Sequence, residues 1–275
     1  MADTDRYSSS AAFAGGISPG AAPLHPLRID SFGRKGLVHG FFNRHGGLSA
    51  APFDSLNVSF GVGDQEAAVR RNRARLKGSL GLDTLVSARQ VHGNKVLVVD
   101  GEPAADFEVD GYDALVSDRQ GGLMIQQADC QAVIFHDPLR PAIGAAHVGW
   151  RGSVACTIGA TVQAMIESFG TDPAVLQAAI SPSLGPCCAE FANYRRELPE
   201  WMHAFQVRPG YFDFWAISAK QLRESGLSPR NISIAGVCTR CNSDFFSFRR
   251  EKLTGRGATV IGINPERTHG AASDH

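Results

Sequence analysis

Two histidines and one cysteine of this chain stand where apolar, strand-like runs give way to turns: His92, Cys130 and His147. Side chains at the ends of neighbouring buried strands can converge at one edge of a sheet, where ligands often bind. Two imidazoles and one thiolate suit a zinc ion whose fourth position stays open, which is typical of catalytic rather than structural zinc. A lone cysteine more often fills a core, and a lone histidine is more often structural. The shared position of the three residues nevertheless predicts a metal centre, with copper as the alternative ion.

Two cysteine pairs form a second group of thiols. Cys187 and Cys188 are adjacent, and Cys238 and Cys241 form a C-x-x-C. A structural four-thiolate zinc site would need a second C-x-x-C, which the sequence lacks. A redox role for the C-x-x-C is an alternative, but no βαβ pattern surrounds it. We therefore expect these thiols to be structural or to line the site.

Two arginines lie in glycine-bearing segments. Arg151 stands at the start of a predicted helix after His147, and the free backbone N–H groups of a helix start favour an anion. Arg44 lies in the polar loop 43–49. A guanidinium can hold a phosphate or a carboxylate with two hydrogen bonds. The pair indicates an anionic co-substrate, with two ordinary surface arginines as the alternative.

Charge and composition argue against several classes of protein. The 27 basic and 27 acidic residues cancel, so no general field attracts nucleic acid or anionic lipid. No apolar stretch approaches the roughly 20 residues that span a bilayer, and the N-terminus lacks the basic start and apolar core of a secretion signal. Six cysteines without framework spacing favour free thiols in a reducing compartment. We expect a cytoplasmic protein that binds neither nucleic acid nor membrane.

The pattern of apolar residues predicts one domain over residues 27–265, between a poorly ordered tail at 1–26 and a C-terminal tail at 266–275. Few strands are separated by a full helix, which favours an α/β domain of the α+β type, with a mixed sheet flanked by helices. The predicted helices span residues 64–80, 154–169, 190–205 and 218–225. The predicted strands span residues 37–42, 85–91, 95–99, 114–117, 123–126, 132–136, 142–146, 176–180, 232–237 and 259–263.

Ten short motifs occur in order between about residues 37 and 263. They are Arg44-His45-Gly46-Gly47-Leu48-Ser49, Ser55-Leu56-Asn57, Gly63-Asp64, Asn72-Arg73, Gln90-Val91-His92-Gly93, Ala128-Asp129-Cys130, His147-Val148-Gly149-Trp150-Arg151-Gly152, Gly185-Pro186-Cys187-Cys188, Cys238-Thr239 and Phe245-Phe246-Ser247-Phe248-Arg249-Arg250. Together these motifs closely resemble the YfiH family, also called the DUF152 or laccase-domain family.

The resemblance implies a single domain built on a mixed β-sandwich wrapped by helices, in which His92, Cys130 and His147 are zinc ligands. It also implies similarity to the catalytic domain of the cytotoxic necrotizing factor toxins, where a cysteine and a histidine do the chemistry. Four places depart from the family pattern: Val148, Gln131-Ala132, Ser181 and Ala189. We expect Ser181 and Ala189 to line the pocket and to affect substrate preference.

Members of the family have been given three activities. Some are described as purine nucleoside enzymes that phosphorolyse adenosine, inosine, guanosine and methylthioadenosine and also deaminate adenosine. Others are named polyphenol oxidases or multicopper laccases, and bacterial members are implicated in removing wrongly incorporated serine from peptidoglycan precursors. A blue-copper site with a trinuclear cluster needs many histidines, largely as H-x-H pairs, and this chain has nine histidines and no H-x-H. A single copper in a His₂Cys site stays open as an alternative.

The sequence thus predicts a zinc-dependent purine nucleoside phosphorylase and adenosine deaminase. Arg44 and Arg151 would hold phosphate near the ribose C1′, and Asp129 would carry a proton or, alternatively, cap a turn. Asn57 and Gln90 would form hydrogen bonds with the nucleoside. Cys130 as a direct nucleophile competes with its role as a ligand. The expected partners are small molecules, a purine nucleoside and phosphate, and the sequence leaves monomer and homodimer open.

Overall fold

The computed structural model describes residues 23–32 and 35–265, which form one α/β domain. Most of the predicted N-terminal tail and the whole C-terminal tail lie outside the described residues. The strands are Leu37–Phe41 (β1), Leu85–Arg89 (β2), Val96–Val99 (β3), Phe107–Asp110 (β4), Ala114–Ser117 (β5), Gly121–Gln127 (β6), Gln131–His136 (β7), Ile143–Val148 (β8), Gln177–Ile180 (β9), Gln206–Arg208 (β10), Tyr211–Phe212 (β11), Ile232–Ile234 (β12) and Gly257–Ile263 (β13). The α-helices are Glu66–Leu80 (α1), Trp150–Val154 (α2), Thr157–Phe169 (α3), Tyr194–Glu197 (α4), Phe214–Glu224 (α5) and Phe248–Glu251 (α6).

Two mixed sheets contain all but two of these strands. The first sheet has the order β1-β13-β6-β2-β4, with β13 antiparallel to both of its neighbours and β2 parallel to both of its own. The second has the order β12-β9-β7-β8-β5-β3, in which the central pairs are antiparallel and the two outer pairs parallel. β10 and β11 form a small separate hairpin.

The two sheets pack face to face, and helices cover their outer faces. Side chains from both sheets, among them Ile125 and Ile134, are fully buried in the core between them. On the outer face of the first sheet, α1 buries Leu76 and Leu80. On the outer face of the second sheet, α3 and α5 form the cover, and Val162 of α3 is buried there. The mixed β-sandwich wrapped by helices that the resemblance implies is confirmed.

The register of the strands brings six chain segments to one end of the sandwich. The turn after β6 carries the chain from the first sheet into β7 of the second, and β2 ends beside it because β2 runs parallel to β6. In the second sheet, the end of β8 and the start of β5 lie next to the start of β7. The start of β13 pairs with the end of β6, Gly257 opposite Gln127. This end of the molecule holds the candidate site.

The helix prediction for residues 154–169 is corrected at its start. The structure has two helices there, α2 and α3, with a break at Cys156, whose φ of 56° is left-handed. Val154, expected on the apolar face, is 42% exposed. Ile158 and Met165 do face the core, and Gly170 ends the helix in the left-handed conformation, as predicted.

The predicted helix at 190–205 is wrong. Only the four residues of α4 are α-helical, followed by a 3₁₀ helix at Glu200–Phe205. Pro199 explains the interruption, because a proline pushes the preceding residue out of the helical region, and Leu198 is extended, with φ −111° and ψ 134°. The helix predicted at 218–225 instead begins at Phe214, where the Asp213 side chain caps it by accepting a hydrogen bond from the Ala216 N–H at 2.9 Å.

Smaller differences concern three strands and the start of one helix. β4 is missing from the predicted strands, because its alternating charged residues place it half-exposed at the edge of the first sheet. The short strands β10 and β11 of the separate hairpin are also missing. The helix predicted from residue 64 begins at Glu66, with Gln65 in the cap position. Among the described residues, no helix combines the length and the apolar character needed to cross a membrane.

Candidate metal centre

The three residues of the predicted metal centre come from both sheets. His92 follows β2 in the first sheet, and Cys130 lies in the turn that leads from β6 to β7. His147 does not follow its strand, as the sequence suggested, but lies within β8 opposite Ala132, and its side chain is buried. The ligands therefore meet at one end of a two-sheet sandwich rather than at one edge of a single sheet.

The distances between the three side chains suit a shared cation. One ligand atom from each residue lies within 4.8 Å of the other two. Cys130 Sγ is 3.9 Å from His92 Nε2, and the two imidazole rings meet edge to face with centroids 4.8 Å apart. Zinc bonds of about 2.3 Å to sulfur and about 2.0 Å to nitrogen require similar separations between ligand atoms. A small inward movement of the side chains is enough to bind one ion.

Asp113, the residue before β5, fixes both histidines. Its Oδ1 lies 2.8 Å from His147 Nδ1, which leaves Nε2 of that ring for the metal. The same carboxylate accepts hydrogen bonds from the backbone N–H groups of His92 at 2.8 Å and Gly93 at 2.7 Å. Burial alone would raise the pKa of Asp113, but the hydrogen bonds from His147 and from these N–H groups outweigh it and lower the pKa. Zinc-binding histidines commonly donate their second N–H to such a carboxylate.

The thiol and imidazole charges at the centre stabilise each other. Burial raises the pKa of the Cys130 thiol, but the charge and hydrogen bonds of His147, together with those of His92, lower it to about 6. Burial has the opposite effect on His147, yet the Cys130 thiolate and Asp113 raise the pKa of its imidazole to about 9. At neutral pH the metal-free centre therefore holds a thiolate, which is the form of cysteine that binds zinc.

Gly149 gives the centre the space that it needs. A Cβ atom at this position would lie 3.0 Å from Cys130 Sγ and 3.0 Å from His92 Cδ2. Both distances are shorter than ordinary contacts, so any larger residue would push the ligands apart. The His₂Cys donor set and this close backbone approach both fit a zinc ion with one open position.

A polar cavity of about 660 Å³ opens directly on the three ligands. Arg256, the residue before β13, lines this cavity, as does Arg89. Burial lowers the pKa of the Arg256 guanidinium, and the charges of Cys130 and Asp129 offset this only in part. Glu108, Gln90, Gln126 and Gln127 also line the cavity. A cation and several amides beside a metal centre suit a polar, anionic ligand.

A second, apolar cavity of about 190 Å³ lies on the other side of Cys130. Cys130, Ala128 and Phe248 line both cavities. Aromatic rings of Trp150, Phe191 and Phe214 form much of the wall of the smaller one. The cysteine thus separates a polar space from an aromatic one.

Comparison with known proteins identifies the family. The family model described as "Multi-copper polyphenol oxidoreductase laccase" matches residues 38–264. This chain belongs to that family. Among solved structures, YlmD from Geobacillus stearothermophilus is similar, with a TM-score of 0.79 and 30% identity, covering 90% of this chain and 98% of that one. YfiH from Bacillus licheniformis has a TM-score of 0.75 at 28% identity, covering 83% and 93%. The resemblance to the YfiH and DUF152 family is confirmed.

Curated relatives in the laccase-domain family carry a different functional name. "Purine nucleoside phosphorylase ORF3" of Streptomyces griseus is 38% identical over 233 residues, covering 82% of this chain and 93% of that protein. "Purine nucleoside phosphorylase YlmD" of Geobacillus stearothermophilus is 35% identical over 256 residues, covering 85% and 92%. The family description and the names of the relatives therefore point to two different reactions.

In this laccase-domain protein, the two arginines predicted to bind phosphate line neither of the two cavities. Arg44 donates to Glu251 at 2.6 Å and to the backbone carbonyl of Asp54 at 2.8 Å, and its guanidinium packs on the Phe246 ring. Arg151 is exposed, with its guanidinium 4.8 Å from the centroid of the Trp150 ring. The structure brings Arg256 to the metal centre instead.

The remaining predicted site residues, Asn57, Gln90 and Asp129, form hydrogen bonds with protein groups around the two cavities. Asn57 is fully buried and accepts a hydrogen bond from the Arg256 backbone N–H at 2.9 Å, so it helps to position that arginine. Gln90 lines the larger cavity, but both ends of its amide bond the backbone of Gln126. Asp129 lines the smaller cavity, and its two oxygens accept hydrogen bonds from the Thr239 hydroxyl and the Arg249 backbone N–H, both far along the chain from its own turn.

Of the two departures from the family pattern that were expected to line the pocket, Ser181 and Ala189, only one does so. Ala189 does line the smaller, aromatic cavity. Ser181 does not line either cavity; it is fully buried and bonds the Ala132 N–H and the Gln127 side chain. Only Ala189 can affect the shape of the pocket directly.

Sequence reasoning missed Asp113, Arg256 and the meeting of four cysteines. Asp113 had one local signal, a lone acidic residue directly before the fully buried run of β5. Arg256 had none, because its neighbours do not indicate which strand its own strand pairs with. The expectation that four thiolates require two C-x-x-C pairs is wrong here: the sulfur atoms of Cys187, Cys188, Cys238 and Cys241 lie within 4.8 Å of one another.

Proposed function

We propose that this protein is a purine nucleoside phosphorylase that uses zinc held by His92, Cys130 and His147. The observation that carries the proposal is that these ligands open on a polar cavity containing Arg256 and adjoin an aromatic one. A phosphorolytic enzyme needs a place for an anion and a place for a flat base on either side of the reacting bond. The relatives named purine nucleoside phosphorylase support the same reaction.

A zinc ion in this position supplies a Lewis acid that polarises an oxygen atom and lowers the pKa of water. The protein supplies the rest. Asp113 keeps the His147 ring oriented, and the Arg256 guanidinium holds phosphate in the larger cavity. Because Arg256 is a fixed cation in a partly buried site, it favours the anionic co-substrate without reorganising during the reaction.

The purine base fits the smaller cavity. Its walls of Trp150, Phe191 and Phe214 offer ring faces and edges against which an aromatic base packs favourably. Ala189, one of the departures from the family pattern, contributes a small side chain to this wall. We propose that the enzyme accepts adenosine, inosine, guanosine and methylthioadenosine. In phosphorolysis, a phosphate oxygen attacks the ribose C1′, the bond from C1′ to the purine breaks, and the free base leaves with a proton. Deamination of adenosine belongs to the same proposal: water attacks purine C6 and ammonia leaves.

The decisive experiment is an assay of hypoxanthine release from inosine with and without phosphate. We expect release only when phosphate is present, loss of activity in Cys130→Ala, and a raised KM for phosphate in Arg256→Ala. Arg119→Ala is a matched control, since Arg119 is half-exposed, pairs with Asp118 and precedes β6 at the opposite end of the sandwich. Fully metallated protein that leaves every purine nucleoside intact would refute the proposal.

The same assay compares the arginines. If Arg44 and Arg151 bind phosphate, as the sequence suggested, Arg44→Ala and Arg151→Ala raise the KM for phosphate as strongly as Arg256→Ala does. On the present proposal the Arg256 variant has the larger effect, because only this one of the three lines the cavity. A raised KM for phosphate in the Arg151 variant alone would indicate that phosphate binds at the start of α2.

A second candidate function is the oxidation of phenols. The family description favours it, and a His₂Cys set can accept one copper ion because copper binds most such ligands more tightly than zinc does. The test is oxidation of a phenol, with dioxygen as the electron acceptor, by the copper-loaded and the zinc-loaded protein. Turnover that requires copper and disappears with zinc, in a protein without nucleoside activity, would establish the oxidase.

A further inference from the structure

Two loops beside the aromatic cavity carry two cysteines each, and the four side chains lie close together. Cys187 and Cys188 lie between β9 and α4, and Cys238 and Cys241 lie between β12 and α6. The Sγ atoms of Cys187 and Cys241 are 3.7 Å apart, and those of Cys188 and Cys241 are 3.4 Å apart. All four sulfur atoms lie within 4.8 Å of one another. None of these residues belongs to the metal centre described above.

These separations match a tetrahedron of sulfur around one ion. With zinc–sulfur bonds of about 2.3 Å, the edges of a tetrathiolate site are about 3.8 Å long. A disulfide, in contrast, joins its sulfur atoms at about 2.05 Å. The distances from Cys241 Sγ to the sulfur atoms of Cys187 and Cys188 are therefore those between two ligands of one metal ion, and not those of a disulfide bond.

The backbone around the cluster is arranged to hold the sulfur atoms in place. The two loops are joined at their base, where the Ser183 N–H donates to the Val237 carbonyl and the Thr239 N–H donates to the Ser183 carbonyl, both at 3.0 Å. The Gly185 N–H points at Cys238 Sγ at 3.3 Å. A Cβ atom on Gly185 would lie 3.0 Å from Cys238 Cβ, so glycine allows the loops to approach this closely. These backbone contacts bring the two loops together through protein groups alone, so the four sulfur atoms are positioned without a bound ion.

The ligand chemistry selects the ion. Four thiolates form a soft donor set that prefers zinc among the divalent cations commonly bound by proteins. Without a cation, four neighbouring thiolates would repel one another. Cys187 and Cys241 are exposed, so an ion can enter from solvent, whereas Cys188 is buried on the inner side.

We propose that Cys187, Cys188, Cys238 and Cys241 bind a second zinc ion, which is structural. All four coordination positions are filled by protein, so this zinc has no open position for a substrate. The inference does not depend on the proposed phosphorylase activity.

The second zinc joins the two loops that wall the aromatic cavity. The loop of Cys187 and Cys188 continues to Ala189 and Phe191, and the loop of Cys241 continues to Phe248, all of which line that cavity. Further hydrogen bonds tie the second loop to its surroundings: Arg250 Nη1 donates to the carbonyls of Thr239 at 2.7 Å and Arg240 at 3.0 Å. An ion that binds only the folded loops stabilises this wall, by an amount that grows with the logarithm of its affinity.

Zinc content per chain, measured by elemental analysis of the purified full-length protein, tests the proposal. We expect two zinc ions in the wild type, one in Cys241→Ser, one in Cys130→Ser and none in the double variant. Cys156→Ser is the matched control, since Cys156 is exposed and lies outside both clusters, and it keeps two ions. Because the two sites are removed separately, failure of the second site is distinguished from failure of the catalytic one.

Cobalt provides a second measurement in case Cys241→Ser does not fold. In the Cys130→Ser background, cobalt bound at the four-cysteine site gives the intense sulfur-to-cobalt absorption of a tetrathiolate. A wild type with one zinc that is lost in Cys130→Ser and kept in Cys241→Ser overturns the proposal. Copper in place of zinc on these thiols, or a disulfide between two of them found by mass spectrometry, overturns it as well.

Discussion

The carboxylate of Asp113 lies 2.8 Å from Nδ1 of His147, and it holds the imidazole from the side opposite to Cys130. Both residues are buried, and the His147 backbone N–H also donates to the Asp113 carbonyl at 2.7 Å. Since the same carboxylate accepts hydrogen bonds from the backbone of His92, one acidic side chain positions two ligands that come from different sheets. The Asp113 carboxylate therefore fixes the positions of both histidines of the metal centre.

Asp113→Asn is expected to weaken zinc binding at the first centre by about 10- to 100-fold. The amide keeps the shape of the carboxylate but removes its charge and can no longer accept every hydrogen bond, so the His147 ring loses its fixed orientation. Competition with a chromogenic chelator measures the affinity. The control is Asp110→Asn, which changes an exposed carboxylate that pairs with Arg89 at the end of the neighbouring strand. Equal affinities for the two variants would contradict this role.

The metal-free protein is expected to contain a thiolate that titrates near pH 6. Because the pKa of Cys130 is lowered to about 6, the thiolate is present above that pH and is protonated below it. His147→Ala removes the main stabilising charge and should move the titration upward, toward the ordinary cysteine value of about 8.5. The measurement is the ultraviolet absorbance of the thiolate against pH, with Cys130→Ser subtracted to remove the other thiols. A titration that His147→Ala leaves in place would contradict the ion pair.

Gly149→Ala should disrupt the candidate metal centre while leaving the fold intact. The added methyl would lie 3.0 Å from both Cys130 Sγ and His92 Cδ2 and would displace the ligands. A displacement of this kind can lower the rate by about 10²-fold, and it should also lower the zinc content. Gly101→Ala is the control, since a Cβ atom there meets nothing within 4 Å. Circular dichroism checks the fold of both variants.

Ile134→Ala should destabilise the whole sandwich. Ile134 is fully buried between the two sheets, so its truncation removes apolar contacts and leaves a cavity that costs about 2–5 kcal/mol. Denaturant unfolding of the zinc-loaded protein measures the change. Leu139→Ala, at a residue that is 71% exposed, should change the stability by less than about 0.5 kcal/mol. Similar losses for the two variants would argue against the packing of the sheets described above.

Local sequence was sufficient to predict the strands of the central core and to single out the three residues of the candidate metal centre. Leu85–Arg89, Gln131–His136 and Gly257–Ile263 are apolar runs that can be stable only when buried, so their sequence predicts their structure. Predictions failed where a single residue overrides the pattern, as Pro199 does in the expected helix at 190–205.

The sequence by itself determined the residue types of the first centre, since two histidines and a cysteine in or directly after apolar runs are visible without any knowledge of strand pairing. Only the tertiary structure decided which other residues lie beside them. The pairing of strands far apart in the chain, such as Gly257 with Gln127, brings Asp113 and Arg256 to this centre, and the contact between two loops assembles the separate cluster of four cysteines. Register of this kind is fixed by burial on both faces of two packed sheets, and no local stretch of sequence contains that information.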